Sequence, residues 1–158
     1  MHLVRPATAA DLDALLALMR DFYAESPYPF DAVSARDSFA TLLVAPARGR
    51  VWLALDEHSA AIGHVVLALN HSMEYGGLAA IIDDLYVRPQ ARRRGVARAL
   101  LYALFAQCRA LGCRAVKVEV GAANAPARAL YARYGLRLPD DDRVLLTAQL
   151  TAAQSRSS

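Results

Sequence analysis

The sequence predicts an α/β fold: a central mixed, mostly antiparallel sheet of six or seven strands with about four helices. Three observations carry this. The apolar runs 51–55, 61–69 and 78–87 follow one another across short polar or glycine-containing turns, as an antiparallel meander does. The last of them leads into a helical stretch at 95–111 and a further strand at 115–120, the connection that a parallel pair requires. Two amphipathic helical stretches precede the meander.

Taken in order, a short first strand opens the chain. Thr8 then stands where a helix N-cap is wanted, with Asp11 three places on to receive amides of the first turn. Leu12, Leu15, Leu16, Met19, Phe22 and Tyr23 recur at helical spacing, giving one apolar face that ends before Ser26-Pro27. Ser34 and Asp37 repeat the capping arrangement ahead of Phe39, Leu42 and Leu43, so a second helix runs to about Pro46. Asp56-Glu57-His58-Ser59 turns the first strand pair of the meander, and Gly76-Gly77 lie in the loop before its third strand. In 115–120, Val116, Val118 and Val120 alternate with Lys117 and Glu119, as in a half-buried strand. Ala127, Leu130, Tyr131 and Tyr134 fit a last helix, closed by Gly135 as a left-handed C-cap. Residues 143–150 supply a final strand. Residues 1–150 read as one domain, and the tail 151–158 is expected to be disordered.

A chain of 158 residues can bury a core without disulfides or metal. With 56% apolar and 21% charged residues it has the balance of a soluble globular protein. The formal charge of +3 is modest, and the arginines are scattered apart from Arg92-Arg93-Arg94, so net charge makes no case for a nucleic-acid partner. Cys108 and Cys113 lack the second pair of ligands that a zinc site needs; they read as reduced thiols, and no metal is expected. The opening residues do not form a signal peptide, and no stretch approaches the ~20 apolar residues that cross a bilayer. A cytoplasmic location without membrane contact is therefore expected. The abundance of Ala and Arg suits a bacterium with GC-rich DNA.

The most informative segment is 81–101, where a buried strand passes through a short turn into a helix that begins in an Arg/Gly/Ala stretch. The first turn of a helix leaves several N–H groups unpaired and carries positive partial charge, which makes it a seat for phosphate. Gly95 lets the chain approach an anion, Ala97 keeps the next position small, and the arginines add charge-assisted hydrogen bonds. An arginine trio by itself would only solvate a helix start; its place between strand and helix is the context a phosphate loop requires. No Gly-Lys-Ser/Thr follows, and the three glycines of a dinucleotide fingerprint are missing, which argues against a nucleotide triphosphatase.

Arg92-x-x-Gly95-x-Ala97 resembles the Gln/Arg-x-x-Gly-x-Gly/Ala signature with which the GNAT superfamily of N-acetyltransferases binds the pyrophosphate of coenzyme A. Asp83-Asp84-Leu85-Tyr86-Val87-Arg88-Pro89 before it resembles the rest of that pattern, as does Asn124-x-x-Ala127-x-x-Leu130-Tyr131-x-x-Tyr134-Gly135-Leu136 after it. Val4-Arg5-Pro6-Ala7-Thr8 with Asp11 resembles the usual opening of the family. Gly135-Leu136 replaces the common Gly-Phe, and Ala97 the commoner second glycine, both conservative in shape. The resemblance implies a GNAT (acyl-CoA N-acyltransferase) fold with one splayed parallel strand pair. It also implies transfer of an acetyl group from acetyl-CoA to the primary amine of a small molecule or peptide, by direct attack. It further implies that Arg92, Arg93, Arg94, Gly95, Val96, Ala97 and Arg98 hold the pyrophosphate, mainly through the amides of 93–97. Leu85, Tyr86 and Val87 would line the pantetheine arm, with Leu85 and Val87 offering backbone bonds and Asn124 bonding it farther along. Tyr131 would stand near the thioester sulfur and protonate the departing thiolate.

The residues themselves leave alternatives. A phenol with a pKa near ~10 suits proton donation at neutral pH, but Tyr131 can also be a core aromatic, the role that otherwise falls to Tyr134. Asn124 can equally cap the last helix, with Pro126 in its first turn. A cationic acceptor must lose a proton, and a carboxylate is the usual helper. Asp83 and Asp84 are adjacent in an apolar strand, so their side chains are expected on opposite faces, at least one of them facing an interior or cleft where its pKa rises. Either can assist or anchor an ammonium; the alternatives are pairing with Arg5 or Arg88, or capping a loop. Glu119, Glu74, His71 and His64 are weaker candidates, and Asp140-Asp141-Asp142 reads as a solvated turn. A CoA- or acyl-CoA-binding module without turnover is the rival reading, and an arginine-centred nucleic-acid binder a second. The acceptor is left open, and a homodimer is compatible with the apolar surface such domains carry.

Overall fold

The computed structural model describes residues 1–139 and 142–150. Along the chain run β1 (Leu3–Pro6), a 3-10 turn (Ala9–Asp11), α1 (Leu12–Ala24), α2 (Ala32–Val44), β2 (Gly49–Leu55), β3 (Ala61–Ser72) and β4 (Gly77–Val87). A second 3-10 turn (Pro89–Ala91), α3 (Val96–Ala110), β5 (Ala115–Val118) and α4 (Ala125–Ala132) follow. One sheet has the order β1-β2-β3-β4-β5. Its first four strands are antiparallel, and β5 joins β4 in parallel after the α3 crossover.

Alternation along the strands builds two layers. Val51, Leu53 and Val66 face α1 and α2, where Leu15, Leu16, Leu18, Ala35 and Phe39 close one core. Trp52, Ala54, Val65, Leu67, Ala80 and Ile82 face α3 and α4, where Leu100, Leu101, Leu104 and Tyr131 close the other. Leu53, Leu67, Leu100 and Leu104 are fully buried, each worth about 2 kcal/mol of transfer from water. The start of α1 is tied to β1 by charge: Arg5 grips Asp11 with bonds of 2.7 and 2.8 Å, and Asp11 accepts the Thr8 amide at 2.8 Å. The Arg5 bonds hold the Asp11 carboxyl far below the usual carboxylate range. Thr8 and Asp11 therefore cap the helix entrance as expected.

Three expectations need correction. Helix α2 starts earlier than Ser34 suggests, because Asp31 is its cap, accepting from the amides of Val33 and Ser34 at 3.0 and 3.3 Å. The described residues form five strands rather than six or seven. Residues 143–150 make no strand there: Val144, Leu145, Leu146 and Leu150 are exposed. Three consecutive apolar residues cannot all turn to one face of a strand, and this run packs on neither layer. Asp140, Asp141 and the tail 151–158 lie outside the described residues. No helix among the described residues is long and apolar enough to cross a membrane.

Candidate functional site

The pairing of β4 with β5 runs from Ala79–Ala115 to Ile82–Val118 and stops. At the next residue β4 bulges: its register on β3 passes from Leu67–Ile82 to Val66–Asp84, leaving Asp83 without a partner. Bulges add twist, and beyond this one 83–87 has β3 on one side and an open edge on the other. The Arg88 amide donates to the Ile62 carbonyl at 2.9 Å, which sets the alternation of the ladder. Tyr86 accordingly exchanges its backbone bonds with His64, whereas Leu85 and Val87 turn theirs to the open edge. On that edge the Val87 carbonyl accepts from Arg92 Nε at 2.8 Å, while the Leu85 groups and the Val87 amide meet no partner among the described residues. The Tyr86 side chain turns the other way: its ring stacks on Phe22 at 5.4 Å in the α1/α2 layer, and its hydroxyl donates to Glu25 at 2.9 Å.

The α3 entrance is open in the way an anion needs. The amides of residues 93–98 meet no acceptor among the described residues. Gly95 caps the helix with φ +83°, and a Cβ built on it would touch nothing within 4 Å. Arg93, Arg94 and Arg98 are exposed and, among the described residues, outside every ion pair. Val96 is buried in the α3/α4 layer and Ala97 half-buried, so both contribute amides alone. This set of free donors and empty space fits a pyrophosphate. Arg92 departs from its expected role: its Nε donates to the Val87 carbonyl at 2.8 Å and its Nη2 to Glu25 at 2.6 Å. It fastens the loop to β4 and α1.

At the other end of the edge the bulge overturns a second expectation, because the extra residue cancels one step of alternation. Asp83 and Asp84 lie on the same side, toward α1, where Tyr23 is close enough to feel both charges. Among the described residues neither carboxylate is hydrogen-bonded or ion-paired; Arg5 is taken by Asp11 and Arg88 by Asp21 at 3.0 Å. Asp83 is exposed, while Asp84 is half-buried and pushed up to about 6 by burial and then by the charge of Asp83. Tyr131, only 8% exposed, comes from the opposite layer. Its hydroxyl bonds nothing among the described residues, and burial followed by the charge of Asp84 pushes it up to about 12.

The remaining candidates separate cleanly. Tyr134 is a packing residue, stacked on Phe105 at 4.9 Å with its hydroxyl donating to the Arg98 carbonyl at 2.8 Å. Asn124 caps α4, accepting from the Ala127 amide at 3.2 Å, which leaves its NH₂ group free to donate. His64 is fully buried between Phe39 and Tyr86 with neither ring nitrogen bonded, and burial pushes it down to about 4, so it packs as a neutral ring. His71 and Glu119 are exposed, and Glu74 pairs with Arg143 at 3.1 Å. Among the described residues no group of three His, Cys, Asp or Glu is placed to hold a metal.

Two residues of the site escaped the sequence reading. Tyr23 was absorbed into the apolar face of α1, and nothing in that stretch distinguishes it from a core aromatic. Glu25 carried a signal: a carboxylate at a helix C-terminus opposes the macrodipole and calls for a cation from elsewhere, here Arg92.

The family model described as the acetyltransferase (GNAT) family matches residues 13–136. An aminoglycoside N(6')-acetyltransferase type 1 of Stenotrophomonas maltophilia is 31% identical over 133 residues, covering 80% of this chain and 82% of that protein. Among solved structures, an integron cassette protein from the mobile metagenome of Cole Harbour salt marsh matches with a TM-score of 0.83. It is 36% identical, over 94% of this chain and 90% of that one. A predicted acetyltransferase of Clostridium acetobutylicum, solved with acetyl-CoA, shares the fold with a TM-score of 0.74 at 20% identity, over 92% and 96% of the two chains. The matched stretch contains the bulge, the open β4 edge and the α3 entrance, and with them the chain belongs to the GNAT family of acetyltransferases.

Proposed function

We propose that this chain transfers the acetyl group of acetyl-CoA to a primary amine of a small molecule or peptide, by direct attack and without a covalent enzyme intermediate. The observation that carries the reading is one edge: free amides at 93–98, the β4 stretch Leu85–Val87 beyond the β5 pairing, and Asp84 where that stretch begins, near enough to Tyr131 for its charge to act on the phenol. The amides, with Arg93 and Arg94 beside them, hold the pyrophosphate. The strand edge and the Asn124 NH₂ group hold the pantetheine arm. Bound there, acetyl-CoA supplies an acetyl thioester.

The proton steps belong to Asp84 and Tyr131. A carboxyl that titrates near 6 is ionised at neutral pH yet basic enough to take a proton from the acceptor ammonium, directly or through water. The Tyr131 hydroxyl gives its proton to the departing thiolate. The two events are coupled, because the Asp84 charge is one of the two causes that hold the phenol's pKa high. Once Asp84 is protonated that cause is gone, and Tyr131 becomes the stronger acid as the thiolate leaves. Positioning of the two reactants on one rigid edge supplies much of the remaining rate.

The relation to an aminoglycoside acetyltransferase makes aminocyclitol amines the first acceptors to try. The test is thiol release from acetyl-CoA over a panel of amines, with Tyr131→Phe alongside. Loss of a general acid should lower kcat roughly a hundredfold while acetyl-CoA affinity stays within about threefold. An unchanged kcat would remove Tyr131 from the mechanism. Acetyl-CoA binding without thiol release from any amine would favour a binding module, and no acetyl-CoA binding at all would overturn the proposal.

A further inference from the structure

Two carboxylates on successive strand residues ordinarily point apart, and here the bulge puts both on one side. The arginines of the neighbouring elements are already engaged: Arg5 by Asp11, Arg88 by Asp21, Arg92 by Glu25, and Arg20 of α1 over the Phe30 ring at 5.7 Å. On the adjacent β5, the Lys117 ammonium lies over the Tyr75 ring at 5.3 Å. Among the described residues the chain therefore gives Asp83 and Asp84 no counter-cation. Tyr131, more than nine-tenths buried in the other layer with an unbonded hydroxyl, is near enough to feel the Asp84 charge, which marks the place as one that a ligand completes. On the α1 side stand aromatic rings: Tyr23, with Phe22, Tyr28 and Phe30 at 5.6 to 6.3 Å from it. Such a wall suits a methylene chain or sugar ring and favours cations over its faces.

Resting on the acetyl-transfer reading, we infer that the acceptor is a polycationic amine, a diamine, polyamine or aminocyclitol, with Asp84 facing the amine that reacts and Asp83 holding a second ammonium. A monoamine offsets only one of the two charges. An amino acid or a peptide bearing a nearby carboxylate brings a third negative charge into the same place. The preference lies in the acceptor's charge count, and Asp83 sets it.

The experiment compares cadaverine, pentylamine and the amino acid of the same chain length as acceptors, by thiol release from acetyl-CoA. The same three amines are titrated calorimetrically into the protein saturated with CoA, a readout that needs no turnover. A charge-assisted bond to Asp83 should favour cadaverine over pentylamine roughly tenfold or more in kcat/KM and in affinity, with the amino acid poorest. In Asp83→Asn and Asp83→Ser that ratio should fall to within about threefold, and thermal melts establish that both variants fold. A ratio near unity in the unaltered protein, or one that survives both substitutions, overturns the inference and leaves acetyl transfer standing. If no amine is acetylated, the transfer reading has failed, and the titrations on the CoA complex still decide whether the site prefers the diamine.

Discussion

Replacing Asp84 by asparagine should stabilise the protein at neutral pH while removing the proposed proton acceptor. A carboxyl raised from 3.8 to about 6 is ionised at pH 7 in both folded and unfolded chains, but the folded chain holds the charge out of water and beside Asp83. The folded state binds the proton more tightly, so this group favours folding below its unfolded pKa, and that favour is lost as pH rises through about 6. The difference corresponds to about 3 kcal/mol at pH 7, equivalent to roughly 6 to 12 °C in melting temperature for a chain of this size. Melts of both proteins at intervals from pH 4 to pH 8 measure it. At pH 4 Asp84 is protonated in the folded chain and only about half ionised in the unfolded one, so that value, before most of the difference has accrued, serves as the reference for exchanging a carboxyl for an amide. The advantage of Asp84→Asn should grow between pH 4 and pH 6 and level off above, while kcat/KM falls and loses its rise through pH 6. A stability difference that does not change with pH would mean that Asp84 is solvated or paired in solution, and the reasoning about its basicity would fall with it.

Two other perturbations probe different parts of the molecule. Gly95→Asp sets a carboxylate at the free amides of α3; the added Cβ meets open space, and the left-handed backbone costs about 1 kcal/mol, so the chain should fold while acetyl-CoA affinity drops about a hundredfold. Calorimetric titration checks it, and an affinity within about threefold of the unaltered protein would move the pyrophosphate elsewhere. His64, held down to about 4 from 6.5, contributes stability that is complete above pH 6.5 and is lost as pH falls toward 4, about 3 kcal/mol in all. In an Asp84→Asn background, which removes the opposite trend, His64→Leu should flatten the acid limb of the melting curve; a limb that stays equally steep would show that another group causes it.

The framework was legible because its signals are local. The Thr8–Asp11 entrance, the meander and the glycine that opens α3 each lie within a few residues, and the periodicity of α1 names Leu15 and Leu16 of its buried face, though not Leu18. What eluded the reading depends on distance or on a break in regularity. Alternation assigned Asp83 and Asp84 to opposite faces, and no residue at the bulge announces the extra step. Arg92 belonged by pattern to the phosphate loop, but its partner Glu25 stands 67 residues away, beyond any periodic signal. Ser34 looked like a helix cap because it is one of the preferred residue types, and Asp31 is another, three positions earlier and with the better geometry. The final strand was read from apolar content alone, without the alternation that would have shown which layer it served.

The bulge also gives β4 an insertion point. On its near side Ile82 pairs with Leu67 in one layer, and on its far side Asp84 pairs with Val66 in the other, so Asp83 is accommodated without turning any neighbour over. A residue added or lost anywhere else in the strand would invert every side chain beyond it and exchange core for solvent. At this single position the strand can change length and keep its framework, so the side chains at the Asp83 end of the edge can be altered by evolution or by design independently of the packing that holds the Val87 and α3 end in place.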